Sequence, residues 1–133
     1  MPDLKLAAQA AIYGALNAAS AVTGIGPVFE YVPEDQEPPF TIVDRMSATP
    51  QAGKDGGLDL IEFDILTMVR QPGREFLTPL MAAVRDTLEG VTLASATATL
   101  SPPEFVGDED ELLEDGQTYL GRQRFQLFAQ AAD

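Results

Sequence analysis

At 133 residues and 14.2 kDa, with 45% hydrophobic and 22% charged residues, the chain has the size and composition of one globular domain, residues 1–133, built on a single core. Eight Lys and Arg against 21 Asp and Glu give a net charge of −13, which opposes approach to a polyphosphate backbone and argues against sequence-specific nucleic-acid binding. The sequence contains no Cys and no His, so disulfides, thiolate metal sites, cysteine nucleophiles and imidazole bases are excluded, and most familiar enzyme classes with them.

No apolar run approaches the roughly 20 residues of a membrane-spanning helix. Met1-Pro2-Asp3-Leu4-Lys5 lacks the basic region and apolar block of a signal peptide, so neither membrane insertion nor export by that route is expected.

In chain order, Asp3 is placed to cap a first helix running to about Ser20, with Leu4, Ala8, Ala11, Ile12, Ala15 and Leu16 forming a narrow apolar stripe. Thr23-Gly24-Ile25-Gly26-Pro27 ends it. Val28 to Val32 reads as a short strand, Pro33 to Pro39 as an acidic proline-bearing loop, and Phe40 to Met46 as the next strand. Ser47 to Gly57 is expected to form a polar hairpin arm.

The alternating run Leu58 to Arg70 follows, with Ile61, Phe63, Ile65 and Val69 on one face and Glu62 and Asp64 on the other. It predicts a long central strand with water or a partner on its second face. A helix comes next, and Pro79 is reconciled with it if Thr78 caps and Arg74 to Leu77 form a separate lead-in turn. Leu80, Met81, Val84 and Leu88 supply its buried stripe, and Gly90 a left-handed stop.

Val91 to Leu100 reads as a strand and Asp108 to Gly116 as an acidic loop. Gln117 to Ala129 reads as a closing strand with Tyr119, Phe125 and Leu127 on one face, and Ala131-Ala132-Asp133 as a frayed end. The order predicts an α+β fold: a mainly antiparallel or mixed sheet of about four to five strands with two helices packed on one face.

The constellations that suggest chemistry are weak. The six carboxylates between Asp108 and Asp115 lack calcium-loop spacing and its central glycine, so a solvated loop without a dedicated metal is expected. Glu62 and Asp64 point the same way, but an outward sheet face accounts for both and no catalytic role is expected. Gly24-Ile25-Gly26-Pro27 precedes a strand and is followed by no Gly-Lys-Ser/Thr, so it reads as a turn rather than a phosphate cradle. No Gly-x-Ser-x-Gly elbow is present.

Arg45, Arg70 and Arg74 flank the hairpin arm and the lead-in to the second helix, where they can oppose acidic loops on a neighbouring copy or simply be surface charges. With Thr49, Gln51, Lys54, Asp55, Glu62 and Asp64 they form a candidate interface to another subunit or to a tube.

The pieces together resemble the tail terminator, or tail completion, proteins of long-tailed bacteriophages and gene transfer agents. The resemblance runs through Ala8-Gln9-Ala10-Ala11-Ile12-Tyr13-Gly14-Ala15-Leu16, Val28-Phe29-Glu30-Tyr31-Val32-Pro33-Glu34-Asp35, and Pro39-Phe40-Thr41-Ile42-Val43. It continues through Leu60 to Val69, Pro72-Gly73-Arg74-Glu75, Val84 to Gly90, and Gln117-Thr118-Tyr119-Leu120-Gly121-Arg122-Gln123-Arg124-Phe125. It spans nearly the whole chain and rests on element order, length and the aromatic-Pro-acid loop before a Pro-aromatic strand. The acidic run from Asp108 and Pro79 depart from the family's pattern.

The resemblance implies a virion protein of the tail or neck, assembled in the host cytoplasm. It implies a homo-oligomeric ring, a hexamer in most relatives, that caps the head-proximal end of the tail tube and ends its growth. Partners would be the tail tube protein and the head-tail connector or stopper, with DNA passing through the lumen unbound, and no cofactor or catalysis. A head completion or stopper protein is the alternative within the virion, and a small acidic ligand-binding domain or enzyme the alternative outside it.

Overall fold

A computed structural model describes residues 3–51, 57–70 and 73–132. Helix α1 (Leu4–Ala18) begins as its sequence dictates: the Asp3 carboxylate accepts from the Leu6 amide at 3.0 Å, satisfying one of the orphan donors of the first turn. Leu4, Ala8, Ile12 and Leu16, four apart, are buried, and the small Ala8 permits close approach to the sheet. A short helix α2 (Ser20–Thr23) follows, sealed by the Gly24 amide on the Ser20 carbonyl at 2.8 Å.

A Cβ at Gly26 would collide with the Pro39 carbonyl, so the glycine allows residues 26 and 39 to run side by side. Strand β1 (Val28–Phe29) consequently pairs in parallel with β2 (Phe40–Pro50). It is two residues long rather than the five expected. Glu30 instead accepts from the Gln9 side chain at 2.9 Å and Tyr31 is 79% exposed, so the chain leaves the sheet there.

Strand β2 pairs antiparallel with β3 (Leu58–Val69) along most of its length. Ser47 to Pro50, expected in a loose arm, are ladder residues opposite Glu62 to Asp59, because backbone pairing is indifferent to polar side chains on an exposed face. The expected tip of that arm, including Lys54 and Asp55, lies outside the described residues. On β3, Ile61, Phe63, Ile65 and Val69 are buried as the alternation predicted.

Helix α3 (Arg74–Leu88) corrects the expected start at Thr78. It is continuous through Pro79, with the Phe76 and Leu77 amides on the Gly73 carbonyl at 2.9 and 3.1 Å. The proline is tolerated because it lies on the exposed face, where water can satisfy the Glu75 carbonyl that it leaves without a donor. Leu77, Leu80, Met81, Val84 and Leu88 are buried, and Gly90 takes φ +72° after the last turn.

The sheet order is β1-β2-β3-β6, and the outer side of β6 (Tyr119–Ala131) is shared by two shorter strands. Strand β4 (Ala98–Leu100) lies against Ala129 to Ala131, and β5 (Glu104–Leu112) against Tyr119 to Gln126. Pro102 and Pro103 separate them, since neither can donate to the ladder. Strand β4 is therefore three residues, not ten. The expected acidic loop is instead strand β5 as far as Leu112, giving six strands among the described residues where about four to five were expected. Ala131 and Ala132, expected to fray, donate backbone bonds to Gly57 and Thr97 at 3.3 and 3.1 Å.

Irregularities between Val43 and Met46 in β2 and between Phe105 and Gly107 in β5 bend the sheet, which curls into a half-barrel of α+β class. α1 and α3 bury one face of it around Phe63 and Phe125, whose rings stack at 5.5 Å with Phe105 edge-on to the latter at 5.5 Å. Each of the two fully buried rings, Phe63 and Phe125, contributes roughly 1.5–3 kcal/mol through burial. No described helix is long and apolar enough to cross a membrane.

Candidate functional site

Alternation along β2, β3, β5 and β6 leaves a second, helix-free face. Register places Ile42, Leu66, Met68 and Leu120 at one end of it and Leu60 and Phe128 at the other, with Glu62, Asp64, Arg124 and Gln126 between. Phe128 is 43% exposed, and the remaining apolar residues of this face are half-buried in the curl.

The structure divides the candidate interface residues into three groups. Arg45 sits in the β2 irregularity, exposed, and with Ser47, Glu62, Asp64 and Arg124 lines a shallow cavity of about 180 Å³. Glu62 is exposed, but Asp64 is only 3% exposed and accepts from Arg124 Nε at 3.0 Å. That bond, followed by the attraction of the same carboxylate, raises the Arg124 pKa. Asp64 is thus not the solvated outward carboxylate that its strand position suggests, because the long Arg124 side chain lies over it.

Thr49 and Gln51 form a second group at the distal end of the β2–β3 hairpin. Thr49 opposes Leu60, the Gln51 amide donates to the Leu58 carbonyl at 2.9 Å, and its side chain donates to the Thr49 carbonyl at 2.9 Å. Lys54 and Asp55 lie outside the described residues.

Arg70 and Arg74 make up the third group, and both find acids of their own chain. Arg70 pairs with Glu37 of the proline-bearing loop and donates to Thr118 Oγ1 at 3.3 Å. Arg74 donates through Nε and Nη2 to Asp110 of β5 at 3.2 and 2.8 Å, and its guanidinium lies 5.0 Å from the Tyr119 ring centre. Arg85 behaves similarly: it bonds Glu89 at 2.9 Å and lies 3.9 Å from the Phe105 ring centre, and its pKa is raised, first by the Glu89 bond.

Below the ladder, Asp115 shapes the turn between β5 and β6. It accepts from Thr118 Oγ1 at 2.6 Å and from the Gln117 and Thr118 amides at 2.9 and 2.8 Å. The Thr118 hydroxyl bond, then the two amides, lower its pKa to about 2.

Sequence reasoning did not single out Arg122, Gln123 or Arg124 as site residues. Their signal was available in the alternation Arg122-Gln123-Arg124, which puts two arginines on the face opposite the core. The arrangement holds acid–base pairs between elements distant in sequence, as a protein presenting shaped, charged surfaces requires.

No curated protein sequence matches the chain. Among solved structures, a chain of a particle described as "Virion of native gene transfer agent (GTA) particle" shares the fold with a TM-score of 0.84, covering 98% of this chain and 99% of that one at 20% identity. The family model described as "Tail completion protein gp17" matches residues 10–130, from α1 to the end of β6. The chain therefore belongs to the tail completion protein gp17 family and is a structural protein of the bacteriophage virion tail.

Proposed function

We propose that the protein assembles as a ring, hexameric in the reading its family resemblance implies, that covers the head-proximal end of the tail tube, ends tube growth and joins the tail to the head connector. The observation that carries this reading is the family match across residues 10–130. The fold supports it, because a closing head-to-tail ring needs two different surfaces on each copy. The distal part of β2 and the outer side of β5 are unlike edges on opposite sides of one sheet.

In this reading the β2–β3 hairpin, with Arg45, Thr49, Gln51, Lys54 and Asp55, and the neighbouring Glu62 and Asp64 touch the next subunit or the tube. Arg70 and Arg74 act from within, holding the 33–39 loop and β5 in the shape that is presented. The ring works without catalysis or cofactor, and its lumen is acidic or neutral, so that DNA slides through without the counterion release that retains phosphate.

Tail length tests the proposal. Removing the protein should leave heads and tail proteins intact while tubes, measured by electron microscopy, become overlong or variable and stay unattached. Tails of normal length beside DNA-leaking heads would identify a stopper instead, and normal, head-attached tails would defeat both readings. Deleting Thr49 to Lys54 should leave a folded chain that completes tails poorly.

A further inference from the structure

The sheet ends in two open edges. Strand β5 pairs along one side with β6, and no backbone hydrogen bond leaves its outer side among the described residues. On the opposite side of the sheet, β1 covers β2 only at Thr41 and Ile42, so the outer side of Asp44 to Thr49 is likewise unpaired among the described residues. Asp44, Arg45, Ser47 and Thr49 are exposed, as are Asp108 to Leu112, and neither stretch contains a proline. A row of unpaired backbone donors and acceptors is a template for a further strand.

Strand direction limits what can be added. Neighbours in the order β2, β3, β6, β5 are all antiparallel, so the two edge strands of this set of four run in opposite directions. Copies related by rotation about an axis roughly along the strands therefore set β5 of one beside β2 of the next in the antiparallel sense that the sheet already uses. The helix-free face then continues across the joint. Ser47, Glu62, Gln126 and Glu104 form one row across the four strands. The open stretch of β2 is centred near that row, whereas β5 runs from it toward the other end, so joining the two along their lengths shifts neighbouring copies along the strand direction, as strands inclined to a ring axis do.

Charge selects among the ways of joining these edges. Strand β5 carries Glu104, Asp108, Glu109, Asp110 and Glu111, and of these only Asp110 has an ion pair with a described residue, Arg74. Two such strands side by side would set like charges opposite one another. The open stretch of β2 carries one acid, Asp44, and one base, Arg45, and Arg45 has no ion pair with a described residue. A second β5 is thus repelled, while β2 brings a free guanidinium to the β5 carboxylates.

We propose that the outer edge of β5 in one copy adds as an antiparallel strand to the outer edge of β2 in the next, making one sheet continuous from copy to copy. The inference rests on the reading that copies assemble head to tail. Tail lengths test whether the assembly caps the tube, whereas cross-linking tests which edges meet, whatever the assembly does.

The chain has no Cys, so introduced cysteines report alone. Ser47→Cys is combined in one chain with Glu104→Cys, Gly107→Cys, Glu109→Cys or Glu111→Cys in turn, all on the helix-free face, and tails carrying each chain are oxidised and resolved on a denaturing gel. One combination should give a ladder of cross-linked chains, about tenfold above the combination whose β5 cysteine lies two residues away, because directly opposed residues are about 5 Å apart and diagonal ones about 7–8 Å. Its single-cysteine parents should give no ladder and no dimer, and adding Arg45→Glu should lower its yield severalfold. Absence of a ladder at all four positions, equal yields at all four, dimers from Ser47→Cys alone, which would join β2 to β2, or dimers from a β5 cysteine alone, which would join β5 to β5, overturns the proposal.

Discussion

Arg124 on β6 reaches across the ladder to Asp64, its register partner on β3, with Nε 3.0 Å from Oδ1. The carboxylate is 3% exposed and the guanidinium 48%. The strand alternation sends both to the helix-free face, yet the arginine stem shields the aspartate from water. Arg124→Ala should therefore leave a buried carboxylate without its charged donor and lower stability by about 1–3 kcal/mol. Asp64→Leu combined with Arg124→Met should recover most of that loss. Urea denaturation midpoints of the three proteins decide it, and an Arg124→Ala protein as stable as the parent would show that water reaches Asp64.

Gly121 lies where β6 passes under α3. A Cβ there would collide with the Met81 sulfur and come within 2.8 Å of Thr67 Oγ1. Met81 can yield but Thr67 is held in β3, so Gly121→Ala should destabilise by about 1–3 kcal/mol through overpacking. Gly107→Ala in β5 meets no atom within 4 Å and should change stability by no more than about 0.5 kcal/mol. Thermal unfolding of the pair is the comparison, with the Gly107 variant as internal control.

Pro79 interrupts the hydrogen-bond ladder of a helix that is otherwise continuous from Arg74 to Leu88. Alanine at this exposed site restores a donor to the Glu75 carbonyl, and Pro79→Ala should raise stability by about 1–3 kcal/mol. A lowered urea midpoint would show instead that the rigidity the proline imposes on the unfolded chain outweighs the lost bond.

Asp115 links the β5–β6 turn to acid stability. Its folded-state pKa, lowered to about 2 from the ordinary 3.8 by the Thr118 hydroxyl and then the Gln117 and Thr118 amides, lies below its unfolded value. The ionised carboxylate therefore stabilises the fold fully above about pH 4, and that contribution is lost as pH falls through the folded pKa. Carboxyl NMR should find Asp115 titrating near pH 2. Asp115→Asn should be less stable than the parent at neutral pH, with the difference shrinking as pH falls from 4 toward 2; a difference independent of pH would refute the assignment.

What the sequence by itself determined is local in origin. Strand β3 was legible because Ile61, Phe63, Ile65 and Val69 alternate with polar residues over a long run, and α1 and α3 because Leu4, Ala8, Ile12 and Leu16, and Leu80, Val84 and Leu88, recur at helical spacing. The Asp3 cap and the Gly90 stop depend on one or two residues each, and neighbouring residues are visible in a sequence. The family resemblance carried by these elements was legible for the same reason.

Only the tertiary structure decided the rest. Glu104 to Leu112 carry the charges of a solvated loop, yet they form a strand because β6 offers them an open ladder beyond β4, and an exposed edge tolerates carboxylates that a buried strand would exclude. Arg74 has Asp110 as partner and Arg70 has Glu37, pairings across more than thirty residues that no spacing rule anticipates. The burial of Asp64 belongs to the same class. Periodicity tells which way a side chain leaves its strand, whereas what lies over it is decided by elements that the chain brings back from far away.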